Sequence, residues 1–488
     1  MTYTFGRFTF HSTGGRLEHE GAPLTLSERQ RQVLFTLLQH AGTIVAKETL
    51  VKAAWDDVAV TDNSVEQAVS VLRRTLAVDP ALGPAIETVP RQGYRFSAPV
   101  TRQNERLDPA QIDVLLAPHR AWVEGRAALE TLSADEVARA ENAFRSVVVH
   151  APDLIQGHLG LANALAFRFE STRADAVPDV AALRDALECA RAACRIDPDR
   201  GEAWATLGFV LHRSGRVDEG SAAVRRALML EGDNWRHHLR LAFVTWGEER
   251  LRAALRTLQL MPGLALAYWL AASVHVARQG FETAGRLLEA GVRAQDGQAD
   301  GASRFLGVGL HWLRGLVQWQ LGDDQAARVS FERELAQESR HHLYTRECCA
   351  QTWYALGAWH FRRGDAAAAA DAFEESLRRV SGHPLPLAAR FSVGLRASAE
   401  AHAMRLAYEE RMASVRDQGG TTEAAMADAL IDAVAGRHAQ AARRVQDALQ
   451  GAPLGPAGWL LPVDPFLRIM EHAEQWQGVL VRLRDRAA

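Results

Sequence analysis

Lysine is nearly absent from this 488-residue chain, which has lysine only at positions 47 and 52 and otherwise uses arginine as its base. The net charge of −3 gives no general attraction to nucleic acid, and residues 1–100 carry ten basic and ten acidic side chains. Non-specific DNA affinity depends on cations that release counterions from phosphates. Any DNA binding must therefore rely on basic side chains gathered on one face of the protein.

Cysteine is scarce as well, with four residues at positions 189, 194, 348 and 349. Neither pair has the spacing of a metal site, and His341 and His342 add only partners seven residues away on the same helix. We therefore expect free, buried thiols in a reducing cytoplasm, with no bound metal and no cofactor.

Long hydrophobic runs are also missing. The longest apolar stretch, residues 256–278, is interrupted by polar residues and by Pro262-Gly263, and the first residues lack the layout of a signal peptide. The sequence shows no nucleotide-binding loop and no short motif of a serine hydrolase or zinc protease. These absences predict a cytoplasmic protein that neither spans a membrane nor catalyses a reaction.

What the sequence does contain, between Thr61 and Val100, is an amphipathic helix followed by a short hairpin. The apolar stripe of the helix consists of Val65, Ala68, Val69, Leu72 and Leu76. Its polar face carries Glu66, Gln67, Ser70, Arg73 and Arg74, and the hairpin tip is Pro90-Arg91-Gln92-Gly93. Amide and carboxylate groups can read base edges in a major groove while arginines hold phosphates. Any surface helix has a polar face, so the plainer interpretation stays open for the helix alone.

This segment resembles the recognition helix and wing of OmpR/PhoB-type winged-helix domains. The run Thr88–Phe96, TVPRQGYRF, looks most like the wing of the CadC/HilA-like branch, and Leu72-Arg73-Arg74 matches the family's helix. The resemblance implies double-stranded promoter DNA as a partner, and contact with RNA polymerase through the loop between Trp55 and Asp62. The residues expected to contact DNA are Glu66, Gln67, Ser70, Arg73, Arg74, Thr88, Arg91, Gln92 and Tyr94.

The first 55 residues fit the same small domain. Alternating aromatic residues within positions 1–10 and the Gly14-Gly15 turn predict strands. Ser27 is expected to cap a helix, and Trp55 is expected to lie in the core. The helix should bury Val33, Leu34, Leu37 and Leu38. We assign residues 1–100 to a winged helix-turn-helix domain and residues 101–112 to a polar linker.

From residue 113 to residue 488 the chain reads as successive helices with a period near 34 residues. The patterns around Trp204–Leu211 and around Trp353–Gly364 resemble tetratricopeptide repeats, with small residues where two helices would cross closely. The resemblance implies an α-solenoid of seven to ten helical hairpins, capped by a helix at about 467–486. The predicted fold is mainly α: a small α+β winged helix-turn-helix domain followed by this α-solenoid.

The concave face of such a solenoid concentrates exposed side chains and is the usual binding surface. The candidate lining residues are His158, Asn163, His212, His237, His238, Arg240, His275 and His311. Their spacing gives no metal-ligand geometry, so we expect the histidines to be solvated surface residues.

Together these features predict a cytoplasmic bacterial transcriptional regulator, similar to HilA-like activators. Its repeats would receive a signal from a protein partner, a small ligand or a second copy of the chain. Pairing two copies on tandem half-sites would raise an otherwise weak affinity. Two other interpretations stay open: a non-enzymatic scaffold whose winged helix does not read DNA, and a sensor whose solenoid encloses a small molecule.

Overall fold

The computed structural model describes residues 1–55, 62–103, 109–175, 177–297, 307–394 and 400–488. Within these ranges the N-terminal domain contains the strands β1 (Thr2–Phe5), β2 (Phe8–His11), β3 (Arg16–His19), β4 (Ala22–Leu24), β5 (Ile44–Val45), β6 (Ile86–Val89), β7 (Gly93–Phe96) and β8 (Thr101–Gln103). One antiparallel sheet has the order β4-β3-β2-β1-β8, and a second has the order β5-β7-β6. Since β8 pairs with β1, residues 101–103 complete a sheet and do not belong to the linker predicted at 101–112.

Three helices lie between β4 and β6 in sequence: α1 (Glu28–Gln39), which precedes β5, and α2 (Lys47–Trp55) and α3 (Asp62–Leu76), which follow it. Ser27 caps α1 as predicted, because its side chain accepts from Gln30 N while its own N–H donates to Gln30 Oε1 at 2.9 Å. The predicted apolar faces of α1 and α3 are buried, and Trp55 is only 4% exposed. These faces pack with the aromatic residues of β1 and β2 into one core.

The remaining described helices form the second part of the chain. They are α4 (Pro109–Glu130), α5 (Ala134–His150), α6 (Ile155–Thr172), α7 (Val180–Ile196), α8 (Gly201–Arg213), α9 (Val217–Leu230), α10 (Trp235–Val244), α11 (Gly247–Leu260), α12 (Ala265–Ala277), α13 (Phe281–Asp296), α14 (Leu310–Gln320), α15 (Asp324–Leu335), α16 (Thr345–Arg362), α17 (Ala366–Arg379), α18 (Pro384–Gly394), α19 (Glu400–Asp417), α20 (Thr421–Val434), α21 (His438–Gly451) and α22 (Ala473–Arg486).

Consecutive helices of this part pack in pairs and stack into a solenoid, which confirms the predicted fold class. Close crossing explains why small residues recur in the repeats. A Cβ on Gly357 of α16 would lie 2.4 Å from the ring of Phe373 on α17, so any larger residue would push the two helices apart. The order is less regular near the end, where α18 packs on α20 as well as on α19.

The solenoid curves far enough for distant repeats to meet. The Leu343 N–H, just before α16, donates to Leu132 O at 2.7 Å, and the Tyr344 hydroxyl donates to Glu170 Oε2 at 2.9 Å. At the other end Arg278 donates to Ala487 O, so the capping helix packs on α12. That helix begins at Ala473 and not near residue 467, because residues 461–463 and 469–472 form separate 3₁₀ turns.

Two of the predicted surface histidines are in fact core residues. His237 is 2% exposed and His311 is 5% exposed, and burial lowers the pKa of His311 to about 4. The four cysteines are unpaired, and burial raises the pKa of Cys194 to about 12. Among the described residues no group of three or more His, Cys, Asp or Glu side chains could hold a metal ion. None of the described helices has both the length and the apolar character needed to cross a membrane.

Candidate nucleic-acid interface

Helix α3 presents its predicted polar face to solvent. Its apolar stripe is fixed by the core, since Val65 and Leu72 are fully buried. The helical period then turns Gln67 and Ser70 outwards, and both are exposed in the full chain. Glu66 is exposed too, but its Oε1 accepts from Lys47 Nζ of α2 at 2.9 Å. Two uncharged hydrogen-bonding side chains and one carboxylate that is ion-paired with Lys47 therefore occupy the middle of the face.

The two adjacent arginines of α3 have different surroundings. Arg73 is tied to the wing, because its Nε donates to Ile86 O at 3.0 Å and its Nη2 donates to Thr88 Oγ1 at 2.7 Å. Arg74 is exposed and makes no hydrogen bond or ion pair with any residue that the structure describes. Arg74 is thus available for a phosphate, while Arg73 holds the helix and the wing at a defined distance.

The wing is the hairpin of β6 and β7, in which Val89 pairs with Gly93 across a three-residue loop. Gly93 has a φ of 140°, and a Cβ there would lie 2.0 Å from Val45 O of β5. Only glycine lets the third strand approach this closely. Arg91 sits at the tip with a φ of 64°, and both Arg91 and Gln92 are exposed. The tip therefore carries an unshielded cation beyond the end of the sheet.

Two of the predicted wing contacts take other roles. Tyr94 is only 4% exposed and belongs to the domain core, so its ring cannot lie against DNA in this conformation; the alternation of β7 turns it inwards. Thr88 is exposed, but its hydroxyl accepts from Arg73. Glu87 pairs with Arg95 across the strands at 2.6 Å, and this contact lowers the pKa of Glu87. The predicted polymerase loop lies outside the described residues, since residues 56–61 are not among them.

One contact between the two parts of the chain could not be predicted from the sequence. Arg29, at the start of α1, donates to Asp199 O at 3.2 Å and forms an ion pair with Glu231, which is 3% exposed. Burial by itself would raise the pKa of Glu231, but His237 and Arg29 outweigh it and lower that pKa. No local signal marks these residues, because they are about 200 positions apart. The solenoid therefore contacts α1 near its N-terminus, and the polar face of α3 stays exposed to solvent.

Comparison with known proteins identifies the first domain. Residues 21–96 match the family model described as "Transcriptional regulatory protein, C terminal". The chain is 36% identical over 98 residues to the transcriptional regulator HilA of Salmonella typhimurium, a match that covers 20% of this chain and 17% of HilA. It is 32% identical over 91 residues to the transcriptional activator CadC of Escherichia coli, covering 18% of each chain. The OmpR/PhoB-type resemblance of the N-terminal domain is confirmed, and the match spans less than a fifth of these relatives.

Solved structures resemble each part of the chain separately. The DNA-binding domain of E. coli CadC is 28% identical, with a TM-score of 0.20, and the match covers 21% of this chain and 96% of that domain. The crystal structure of MamA is 17% identical, with a TM-score of 0.27, and the match covers 34% of this chain and 93% of MamA.

Proposed function

We propose that this protein is a cytoplasmic transcriptional regulator, acting as an activator, that binds promoter DNA with α3 in the major groove and the wing beside it. The observation that carries the proposal is the pairing of an exposed polar helix face with a wing tip that bears Arg91. Gln67 and Ser70, together with Glu66, would read base edges. Arg74 and Arg91 would contact phosphates or the adjacent minor groove, and Arg73 would set the spacing between helix and wing.

The domain is electrically neutral overall, so its affinity for DNA must come from a few well-placed contacts. A single copy with two unpaired arginines would bind weakly. Two copies on tandem half-sites raise the effective concentration of the second domain and can recover on the order of 10²-fold in affinity. The solenoid would supply this pairing, or would receive a protein or a ligand that promotes it. The Arg29–Glu231 contact supports such coupling, because it joins the solenoid to the domain without covering α3.

The test is selection of random-sequence DNA by the full-length protein, followed by sequencing of the bound pool. An enriched motif, repeated at the spacing of two half-sites, is the expected result. The double variant Arg74→Ala/Arg91→Ala should lose the enrichment and keep its melting temperature. Arg16→Ala, at an exposed arginine of the N-terminal sheet, is the matched control and should bind normally.

The scaffold interpretation predicts the opposite outcome. If the wild-type protein and a fragment of residues 1–105 both fail to enrich any sequence, the winged helix does not read DNA. If the fragment enriches a motif as strongly as the full-length protein does, the solenoid contributes nothing to affinity and the pairing mechanism is wrong.

A further inference from the structure

Where the solenoid closes on itself, several arginines meet on its inner side. Arg213, at the end of α8, forms a bidentate ion pair with Glu170 of α6, with Nε–Oε1 at 2.7 Å and Nη2–Oε2 at 3.0 Å. Glu170 is almost fully buried and also accepts from the Tyr344 hydroxyl. Arg173 lies beside it and pairs with Glu347 at 2.6 Å. The carboxylates of this cluster are thus already occupied.

Arg240 of α10 enters the same cluster, but it forms no ion pair with a carboxylate in the described part of the chain. Its guanidinium group lies 4.2 Å from the centroid of the Phe209 ring, and Arg213 lies 5.2 Å from the same centroid. Among the described residues Arg240 makes one polar contact, from Nη2 to Asn163 Oδ1 at 2.8 Å. A guanidinium group has five N–H donors, so most of its bonding capacity is unused.

The surroundings of Arg240 disfavour its charge. Burial lowers the pKa of Arg240 to about 10; it outweighs the opposing effects of Tyr344, Glu170 and Glu202, and the positive charge of Arg213 acts in the same direction as burial. A nearby arginine, Arg250, is also buried and pairs with no carboxylate of the described ranges, but it has a structural role. Its Nε donates to Ala242 O at 2.9 Å and to Thr245 O at 3.0 Å, and so caps the end of α10. Arg240 caps none of the described helices, and its described contacts, the Phe209 ring and Asn163 Oδ1, leave its charge without an ion pair.

A partly buried cation that makes no direct ion pair with a carboxylate destabilises the folded protein unless something pairs with it. Arg240 remains half-buried, so solvent and a small ligand can still reach it. We propose that Arg240, with Arg213 beside it, forms an anion-binding site on the inner side of the solenoid, and that its ligand is a small molecule with a phosphate or carboxylate group. Planar guanidinium groups match both anions with two parallel hydrogen bonds.

Anion binding at this site does not depend on the proposed DNA-binding function. Only the further idea that the anion is the signal received by the solenoid rests on that function. The two are tested on the same preparation of full-length protein. Anion binding without DNA enrichment would leave the site standing and remove the regulator. DNA enrichment without anion binding would do the reverse.

The experiment is calorimetric titration with sodium pyrophosphate and, separately, with sodium citrate, at an ionic strength held constant with chloride. We expect saturable binding to one site by at least one of them. Binding of pyrophosphate alone identifies a phosphate-bearing ligand, and binding of citrate alone identifies a carboxylate. Arg240→Met should weaken binding by about tenfold or more, because it removes a charge-assisted pair. Arg240→Lys, which keeps the charge but loses the planar fork, should show an intermediate affinity.

Melting of the ligand-free proteins gives a second readout. Arg240→Met should melt at a higher temperature than wild type, because it removes a partly buried charge that makes no direct ion pair. Arg252→Gln, at an exposed arginine of α11, is the control and should change neither melting nor binding. The proposal is overturned if neither anion binds the wild-type protein, or if Arg240→Met binds them as wild type does. A fall in the melting temperature of Arg240→Met with unchanged binding would assign Arg240 a purely structural role.

Discussion

Arg73 and Arg74 are neighbours on α3, and the structure predicts that their replacement by alanine has different consequences. Arg73→Ala removes hydrogen bonds to Ile86 O and Thr88 Oγ1. Two such bonds at a largely exposed site contribute about 1–2 kcal/mol. Arg74→Ala removes no bond to any described residue, so its cost should stay within about 0.5 kcal/mol. Urea denaturation of the two variants measures this difference directly.

DNA binding should separate the two variants in another way. Arg74→Ala removes a phosphate contact, so it should weaken binding roughly three- to tenfold and should make the salt dependence shallower by about one unit of slope. Arg73→Ala should disturb the spacing between helix and wing and therefore reduce the preference for the selected motif. Fluorescence anisotropy with the enriched DNA, at salt concentrations from about 0.05 to 0.3 M, gives both affinity and slope.

If Arg74→Ala destabilises the domain as much as Arg73→Ala does, the assignment of one structural and one DNA-facing arginine is wrong. If Arg16→Ala changes the salt slope as much as Arg74→Ala does, the effect belongs to the net charge of the domain and not to the face of α3.

Three further predictions concern stability and the contact between domains. Gly93→Ala should destabilise the winged helix by about 3 kcal/mol or more, because the added Cβ would clash with Val45 O. Thermal melting of residues 1–105, followed by circular dichroism, checks this; an unchanged melting temperature would contradict the tight approach of β5. Arg29→Ala should detach α1 from the solenoid and increase the radius of gyration in small-angle X-ray scattering at constant helix content, whereas an unchanged radius would show that other contacts hold the domain. Burial outweighs the hydrogen bonds from Leu467 N, Phe466 N and Tyr354 and raises the pKa of Asp464 to about 6. The folded state therefore holds this proton more tightly than the unfolded chain does, so the stability it provides is complete below about pH 4 and is lost as pH rises to about 6. The free energy of unfolding of Asp464→Asn, relative to wild type, should therefore increase by about 2 kcal/mol as the pH rises from about 4 to about 7, allowing for partial solvent access. A difference that does not vary with pH would refute the assignment.

Local patterns in the sequence were sufficient for the elements and their buried faces. The 3.6-residue period of α1 and α3 decides which side chains enter the core, and Ser27 and Gln30 mark a helix start by their own chemistry. Since the same period turns Gln67 and Ser70 outwards, the polar face of the recognition helix could also be predicted. The small residues of the repeats could be identified because the two helices of one hairpin are close in sequence.

The partners of individual charged side chains depended on the tertiary structure. Arg73 and Arg74 are indistinguishable in sequence, and only the position of β6 assigns one to the wing. Glu170 contacts Tyr344, 174 positions away, because small rotations between successive repeats accumulate along the solenoid. Arg29 contacts Glu231, 202 positions away, because the N-terminal domain packs against the solenoid. The curvature of the solenoid is a sum over many interfaces, so no single motif encodes it. It alone decides that Arg240 lies half-buried where it makes no ion pair with a carboxylate among the described residues.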